Sequence, residues 1–201
     1  MLQFTLTYQS NYGNEEFNAA KRILRYLKGT KDYVLTYGPF DKIKFPILTA
    51  YVDADFANYK DRKSLTGYTF KLSGQTISWK TKKQPTVSLS TVEAEYIALA
   101  TASSELIWIR NFLNEIGFKQ PTTTIYEDNQ GCIAIANNPI VKSRVKHVDI
   151  KYHFLRERIL NNELLVKYIS TSNQEADLFT KGLPKETFQR IRSLVSFQID
   201  S

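Results

Sequence analysis

Cysteine and histidine are almost absent from this 201-residue chain, which holds one cysteine, Cys132, and two histidines, His147 and His153. A single cysteine excludes an internal disulfide framework and fits a reducing compartment. So few sulfur and imidazole ligands also exclude a Cys/His zinc cluster. No apolar run approaches the roughly 18 residues that a membrane-spanning helix needs. No secretory signal pattern opens the chain. There are no internal repeats, no low-complexity tracts, no glycine-rich phosphate loop and no Ser/His/Asp nucleophile arrangement. These absences lead to the expectation of an intracellular protein, cytoplasmic or nuclear, with no membrane partner.

What is present is a foldable and basic sequence. Hydrophobic residues make up 42% of it, enough for one core with a small appendage, and the 13% aromatic content argues against disorder. The net charge is +7. An excess of that size suits a polyanionic partner, although a soluble domain can also simply be basic.

Residues 1 to about 13 are polar and irregular. Phe17, Ala20, Ile23, Leu24 and Leu27 then recur at helical spacing, and Lys28-Gly29 supplies a stop. Residues 30–44 read as a short hairpin or a linker. From residue 47 the pattern is dense. It predicts strands over 47–54, 65–72, 75–81, 122–128 and 164–170. Helices are expected over 90–115, 130–137, 147–161, 174–181 and 185–195. A three-strand meander followed by alternating helices and strands gives an α/β fold. Its five-stranded mixed sheet has three antiparallel strands and then two parallel ones, flanked by helices.

Four acidic residues lie where these elements meet loops: Asp53, Glu95, Asp128 and Asp177. Asp53 follows an apolar strand, at the carboxyl edge where α/β sheets carry their sites. Asp55 is its rival, two residues on and on the same face. Ser90-Thr-Val-Glu93 has capping-box spacing, so Glu93 has a structural job. Glu95 has none, and it heads the apolar stripe Leu99, Ala102, Leu106, Ile109 and Leu113. Glu93 and Glu95 point about 200° apart on a helix. Asp128 ends a strand and can equally be an N-cap. Glu127 alternates to the other face and is expected to be solvated or paired. Asp177 in a first helical turn also favours the helix dipole. Converging carboxylates suit Mg²⁺, a hard ion that takes oxygen ligands, with Mn²⁺ as an alternative. Two such ions about 4 Å apart can cut a phosphodiester.

Basic and polar residues around these acids are candidates for nucleic-acid contact. Lys80, Lys82 and Lys83 precede the long helix, where Gln84, Ser88, Ser90 and Thr91 can reach phosphates. Lys142, Arg144, Lys146 and His147 form a second basic stretch. Asn129 and Gln130 are placed to read minor-groove edges and 2′-hydroxyls. Charge runs are usually just solvated faces. Trp79, Trp108, Tyr152 and Phe154 read as core residues rather than base-stacking ones.

Six segments carry a family resemblance: Tyr51-Val-Asp-Ala-Asp-Phe56, Arg62-Lys-Ser-Leu-Thr-Gly-Tyr68, Ser90-Thr-Val-Glu-Ala-Glu-Tyr96, Tyr126-Glu-Asp-Asn-Gln-Gly-Cys132, Lys146-His-Val-Asp-Ile-Lys-Tyr-His-Phe154 and Asn173-Gln-Glu-Ala-Asp-Leu-Phe-Thr-Lys181. In this order they resemble the ribonuclease H (RNase H) domain of copia-type LTR retrotransposon Pol polyproteins. Ala20-Lys-Arg-Ile-Leu-Arg-Tyr-Leu-Lys-Gly29 resembles the tail of the preceding reverse transcriptase. The expected organisation is therefore a reverse-transcriptase remnant over 1–45, an RNase H-like domain over 46–184 and a closing helix and tail over 185–201. The resemblance implies Mg²⁺-dependent cleavage of the RNA strand of RNA–DNA hybrids, with Asp53, Glu95, Asp128 and Asp177 as catalytic metal ligands. It also implies the reverse-transcriptase domain of a parent polyprotein as a partner. Many RNases H carry a loop histidine before the last catalytic helix, and residues 171–173 hold none. His147 is expected either to substitute for it as a proton carrier or product-release aid, or to serve as a phosphate contact or an N-terminal cap partner. A catalytically idle hybrid-binding remnant is the alternative function. An integrase-type core of the same fold is disfavoured, because an acid sits on the helix between the two Asp-bearing strands.

Overall fold

Alternation in Leu48, Ala50, Val52 and Ala54 puts one face of a strand into the core, and this strand is the middle of the sheet. The structure, a computed structural model, describes residues 13–38, 45–138, 146–195 and 197–199, without the side chains of 146–149 and 197–199. The features expected at residues 1–12 and 39–44, and at Lys142 and Arg144, lie outside the described residues. The chain divides into two compact units, residues 37–196 and residues 1–36 with 197–201.

In the larger unit, β2 (Leu48–Asp55), β3 (Leu65–Leu72) and β4 (Gln75–Lys83) form the antiparallel meander. Then β5 (Thr123–Glu127) lies parallel to β2, and β6 (Leu164–Tyr168) parallel to β5. The order across the sheet is β4-β3-β2-β5-β6. This is the expected five-stranded mixed sheet. Helix α2 (Thr91–Glu115) packs on β2 and β3, with α3 (Gln130–Asn137) and α4 (Lys146–Leu160) against it. Leu99, Ala102, Leu106, Ile109 and Leu113 are all buried, as their stripe predicts. Two turns of 3₁₀ helix (Thr171–Asn173 and Glu175–Phe179) precede α5 (Lys185–Leu194). The second of them packs on β2, β3 and β4.

The smaller unit holds α1 (Asn14–Gly29) and the strand pair β1 (Tyr33–Leu35) with β7 (Phe197–Ile199), which is antiparallel, Val34 opposite Gln198. The pairing of β1 with β7 was not foreseen, because two strands of three residues each carry no readable period. Nothing on α1 is buried, and Phe17, Leu24 and Leu27 are exposed.

Three expectations need correction. Trp79 and Trp108 are not core: they are 46% and 63% exposed. Trp79 lies on the edge strand β4, and Trp108 stacks on Phe112 one turn further along the outer side of α2. Residues 174–181 do not form an α-helix. Gln174 accepts a hydrogen bond from the Ala176 amide and donates Nε2–H to the Val52 carbonyl at 2.9 Å, which holds the chain in tight turns against β2. Glu127, expected to be solvated or paired, is fully buried. Its strand lies between two others, and Thr123, Ile125 and Glu127 share the covered face.

The segment after β6 is locked to the sheet at two points. Lys71 on β3 reaches both Glu175 carboxylate oxygens at 2.8 and 3.0 Å and the Leu194 carbonyl at 2.9 Å. Removing one partner of such a buried pair costs about 3–5 kcal/mol, because the other charge is left stranded. The second point is Gly67, opposite Asp53 on β3. A Cβ there would stand 2.5 Å from Thr180 Cγ2 and 2.9 Å from Phe179 Cβ. Gly67→Ala should therefore lower stability by about 1–3 kcal/mol in urea unfolding. An unchanged midpoint would contradict this contact.

Candidate metal centre

β2 and β5 run side by side in parallel, with Tyr51 paired to Tyr126. Two residues beyond this pair, Asp53 near the end of β2 and Asp128 just past β5 lie at the same edge of the sheet. The N-terminus of α2 crosses the same end. Ser90 caps it, accepting the Glu93 amide at 3.1 Å, and Glu93 accepts the Leu89 amide at 2.8 Å. This fixes the first turn and leaves Glu95 facing the strands. Each of Asp53, Glu95 and Asp128 offers one carboxylate oxygen, and all three oxygens lie within 4.8 Å of one another.

The rivals are occupied elsewhere. Asp55 accepts a hydrogen bond from Asn58 Nδ2 in the turn after β2, and Glu93 serves the cap. Asp177 is buried beside this cluster but is not one of the three. Its Oδ1 accepts from Lys181 Nζ at 2.8 Å, and the same ammonium donates to Asp53 Oδ1 at 3.0 Å. Asp53 Oδ2 accepts from Thr180 Oγ1, and Asp128 Oδ2 from Thr171 Oγ1 at 2.7 Å.

Crowding of acids out of water has electrostatic consequences. Burial pushes the Glu95 carboxyl up to about 11, and Glu127, Asp53 and Asp128 push it the same way. Burial also drives Glu127 well above the ordinary carboxyl range. Asp177 rises to about 6 through burial, with Lys181 pulling against it and Asp53 and Asp128 adding to the rise. Glu95 Oε2 and Glu127 Oε2 are buried with no hydrogen-bond partner. Three converging oxygen donors, one of them orphaned, fit a hard divalent cation better than a solitary protein network.

The candidate nucleic-acid residues are dispersed. Lys80 and Lys82 are exposed on β4. Thr81 between them lies across β3 from Asp53, about 10 Å away at the usual strand spacing. Lys83 pairs with Asp61 at 2.9 Å and sits over the Tyr59 ring. Ser90 and Asn129 are N-caps, and Asn129 Oδ1 accepts the Cys132 amide at 2.9 Å. Gln130 is exposed. Gln84 and Ser88, expected to reach phosphates, are instead buried: Gln84 donates to Thr66 Oγ1 and the Ala94 carbonyl, and accepts from Ser88. Lys146 and His147 begin α4, and Arg144 is not among the described residues.

Sequence reasoning missed Lys181, Thr180, Thr171 and Lys151. The first of these had a signal, since Lys181 is four residues after Asp177. Lys151 on α4 had none. It is half-buried near Lys82, and its pKa is lowered by burial first and by Lys82 second, with Glu93 opposing.

The chain is 43% identical over 189 residues to the "Retrovirus-related Pol polyprotein from transposon TNT 1-94" of Nicotiana tabacum, matching 94% of this chain and 14% of the relative. It is 40% identical over 183 residues to the corresponding polyprotein from transposon RE1 of Arabidopsis thaliana, matching 90% and 12%. The chain is homologous to a segment of transposon Pol polyproteins. It spans only a small part of the length of these relatives. No protein-family model matches it. Among solved structures, the crystal structure of LC11-RNase H1 in complex with RNA/DNA hybrid superposes with a TM-score of 0.50 at 14% identity, covering 66% of this chain and 93% of that one. The Pol segment thus has the RNase H fold.

A carboxyl whose folded pKa is raised binds more protons folded than unfolded, so its contribution to stability falls as pH rises above its ordinary value of 4.5. In EDTA, Glu95→Gln should therefore raise Tm relative to the native chain, and the gain should grow from about pH 5 to about pH 8. A gain that shrinks over that range would show that Glu95 is not held against its charge.

Proposed function

We propose that this Pol segment is a metal-dependent ribonuclease H that hydrolyses the RNA strand of RNA–DNA hybrids. The carrying observation is the meeting of Asp53, Glu95 and Asp128 within 4.8 Å at the carboxyl edge of an RNase H-like sheet. The hybrid bound in the LC11-RNase H1 structure supports the choice of substrate. So does the net charge of +7.

Asp53, Glu95 and Asp128 would hold divalent ions, Mg²⁺ in the first instance, with Asp177 completing the set. Bound there, two such ions would activate the attacking water and stabilise the leaving oxygen of the phosphodiester. The chain's own residues do the orienting. Thr180 and Thr171 donate to Asp53 and Asp128, which fixes the rotamers of both carboxylates. The Glu93–Ser90 cap fixes the start of α2 and hence Glu95. Exposed Lys80 and Lys82, with Lys151 beside Lys82, supply positive charge for the phosphates of the hybrid. The products would be 5′-phosphate and 3′-hydroxyl ends.

The same reading assigns residues 1–45 to the end of a copia-type reverse transcriptase. The uncovered apolar residues Phe17, Leu24 and Leu27 of α1 suit a helix whose packing partner is that polymerase domain.

The test is cleavage of a labelled RNA–DNA hybrid in Mg²⁺ by the chain and by Asp128→Asn. The expected result is cleavage by the native chain and a loss of at least about 100-fold in the variant, as for removal of a group that stabilises transition-state charge. Equal cleavage by both would refute the site. A folded native chain that binds hybrid without cutting it would instead support an idle hybrid-binding fragment.

A further inference from the structure

We infer that Lys181 guards the second cation position, so that divalent ions load in order and the second must displace the lysine. The inference rests on the metal-centre reading above. Lys181 Nζ lies 3.0 Å from Asp53 Oδ1 and 2.8 Å from Asp177 Oδ1. Asp53 and Asp177, the two carboxylates on which Lys181 sits, would be the residues left to hold a second ion beside the first. Of the three converging carboxylates Lys181 bonds to Asp53, and it also bonds to Asp177, which lies outside the three.

An ammonium and a divalent cation cannot share the space between two carboxylates, because like charges a few ångströms apart repel strongly where little water screens them. A first ion would be held by Glu95 and Asp128 together with Asp53 Oδ2, which accepts from Thr180 and not from Lys181, so Lys181 opposes it less. The second needs the Asp53 and Asp177 oxygens that Lys181 now occupies. The lysine is able to leave: its side chain is 34% exposed on a flexible four-carbon stem, whereas Asp53 is fully buried and stays. Lys181 is thus a positioning residue that sets how tightly the second ion is held. In the absence of that ion it neutralises the repulsion between Asp53 and Asp177.

Titration calorimetry of the full chain with Mn²⁺ tests this, on the native protein, Lys181→Met and Lys181→Gln. The polar Gln variant guards against a folding defect from a buried apolar tip, and circular dichroism reports the fold of each. The native chain should bind one ion, with a second weaker by at least about tenfold, a typical size for coupling between sites. Both variants should tighten the second ion by about tenfold and the first by less. Adding Asp177→Asn to Lys181→Met should abolish that gain. A second-ion affinity that is unchanged or weaker in the variants, with the first ion still bound, overturns the inference and leaves the metal centre standing. No Mn²⁺ bound by native chain or variants overturns the metal centre and the inference with it.

Discussion

Repulsion among carboxylates at one end of the sheet is the constraint around which the larger unit is arranged. Parallel pairing of β2 with β5 brings Asp53 level with Asp128, and the capped start of α2 brings Glu95 onto both. Glu127 adds a further acid, itself buried, on the covered face of β5. Without a counter-charge such a cluster opposes folding, and the raised pKa values of Glu95, Glu127 and Asp177 express that opposition. The cluster thus costs stability, and its converging oxygens fit a divalent cation.

The chain following β6 supplies part of the counter-charge. Residues 171–181 bring Thr171 to Asp128, Thr180 and Lys181 to Asp53, and Asp177 to Lys181. They stay in place because Lys71 grips Glu175 and because Gly67 leaves room for Thr180 and Phe179. The Lys71–Glu175 pair and the centre are therefore linked through one short segment. Loosening the segment would release Lys181 and Asp177 together.

Much of the larger unit is legible in the sequence. Alternation in β2 and the five-residue apolar stripe of α2 gave the sheet and the helix over it, since period and burial agree there. Asp53, Glu95 and Asp128 stand out because each acid breaks an apolar pattern at an element's end. The covered face of β5 was not legible, since nothing local says which faces of a strand will be packed, and so Glu127 was misplaced. Lys181 was missed because a lysine in a polar turn reads as solvated until Asp53, 128 residues away in sequence, comes beside it. Trp108 and Trp79 mislead because large aromatics default to the core, and only their position on an outer helix side and an edge strand shows otherwise.

The most direct measurement is anomalous diffraction from a crystal of this chain grown or soaked in Mn²⁺. The account predicts a manganese peak coordinated by carboxylate oxygens of Asp53, Glu95 and Asp128. A well-ordered site with no peak there, or manganese bound only at Asp55, Glu93 or other surface acids, would contradict it.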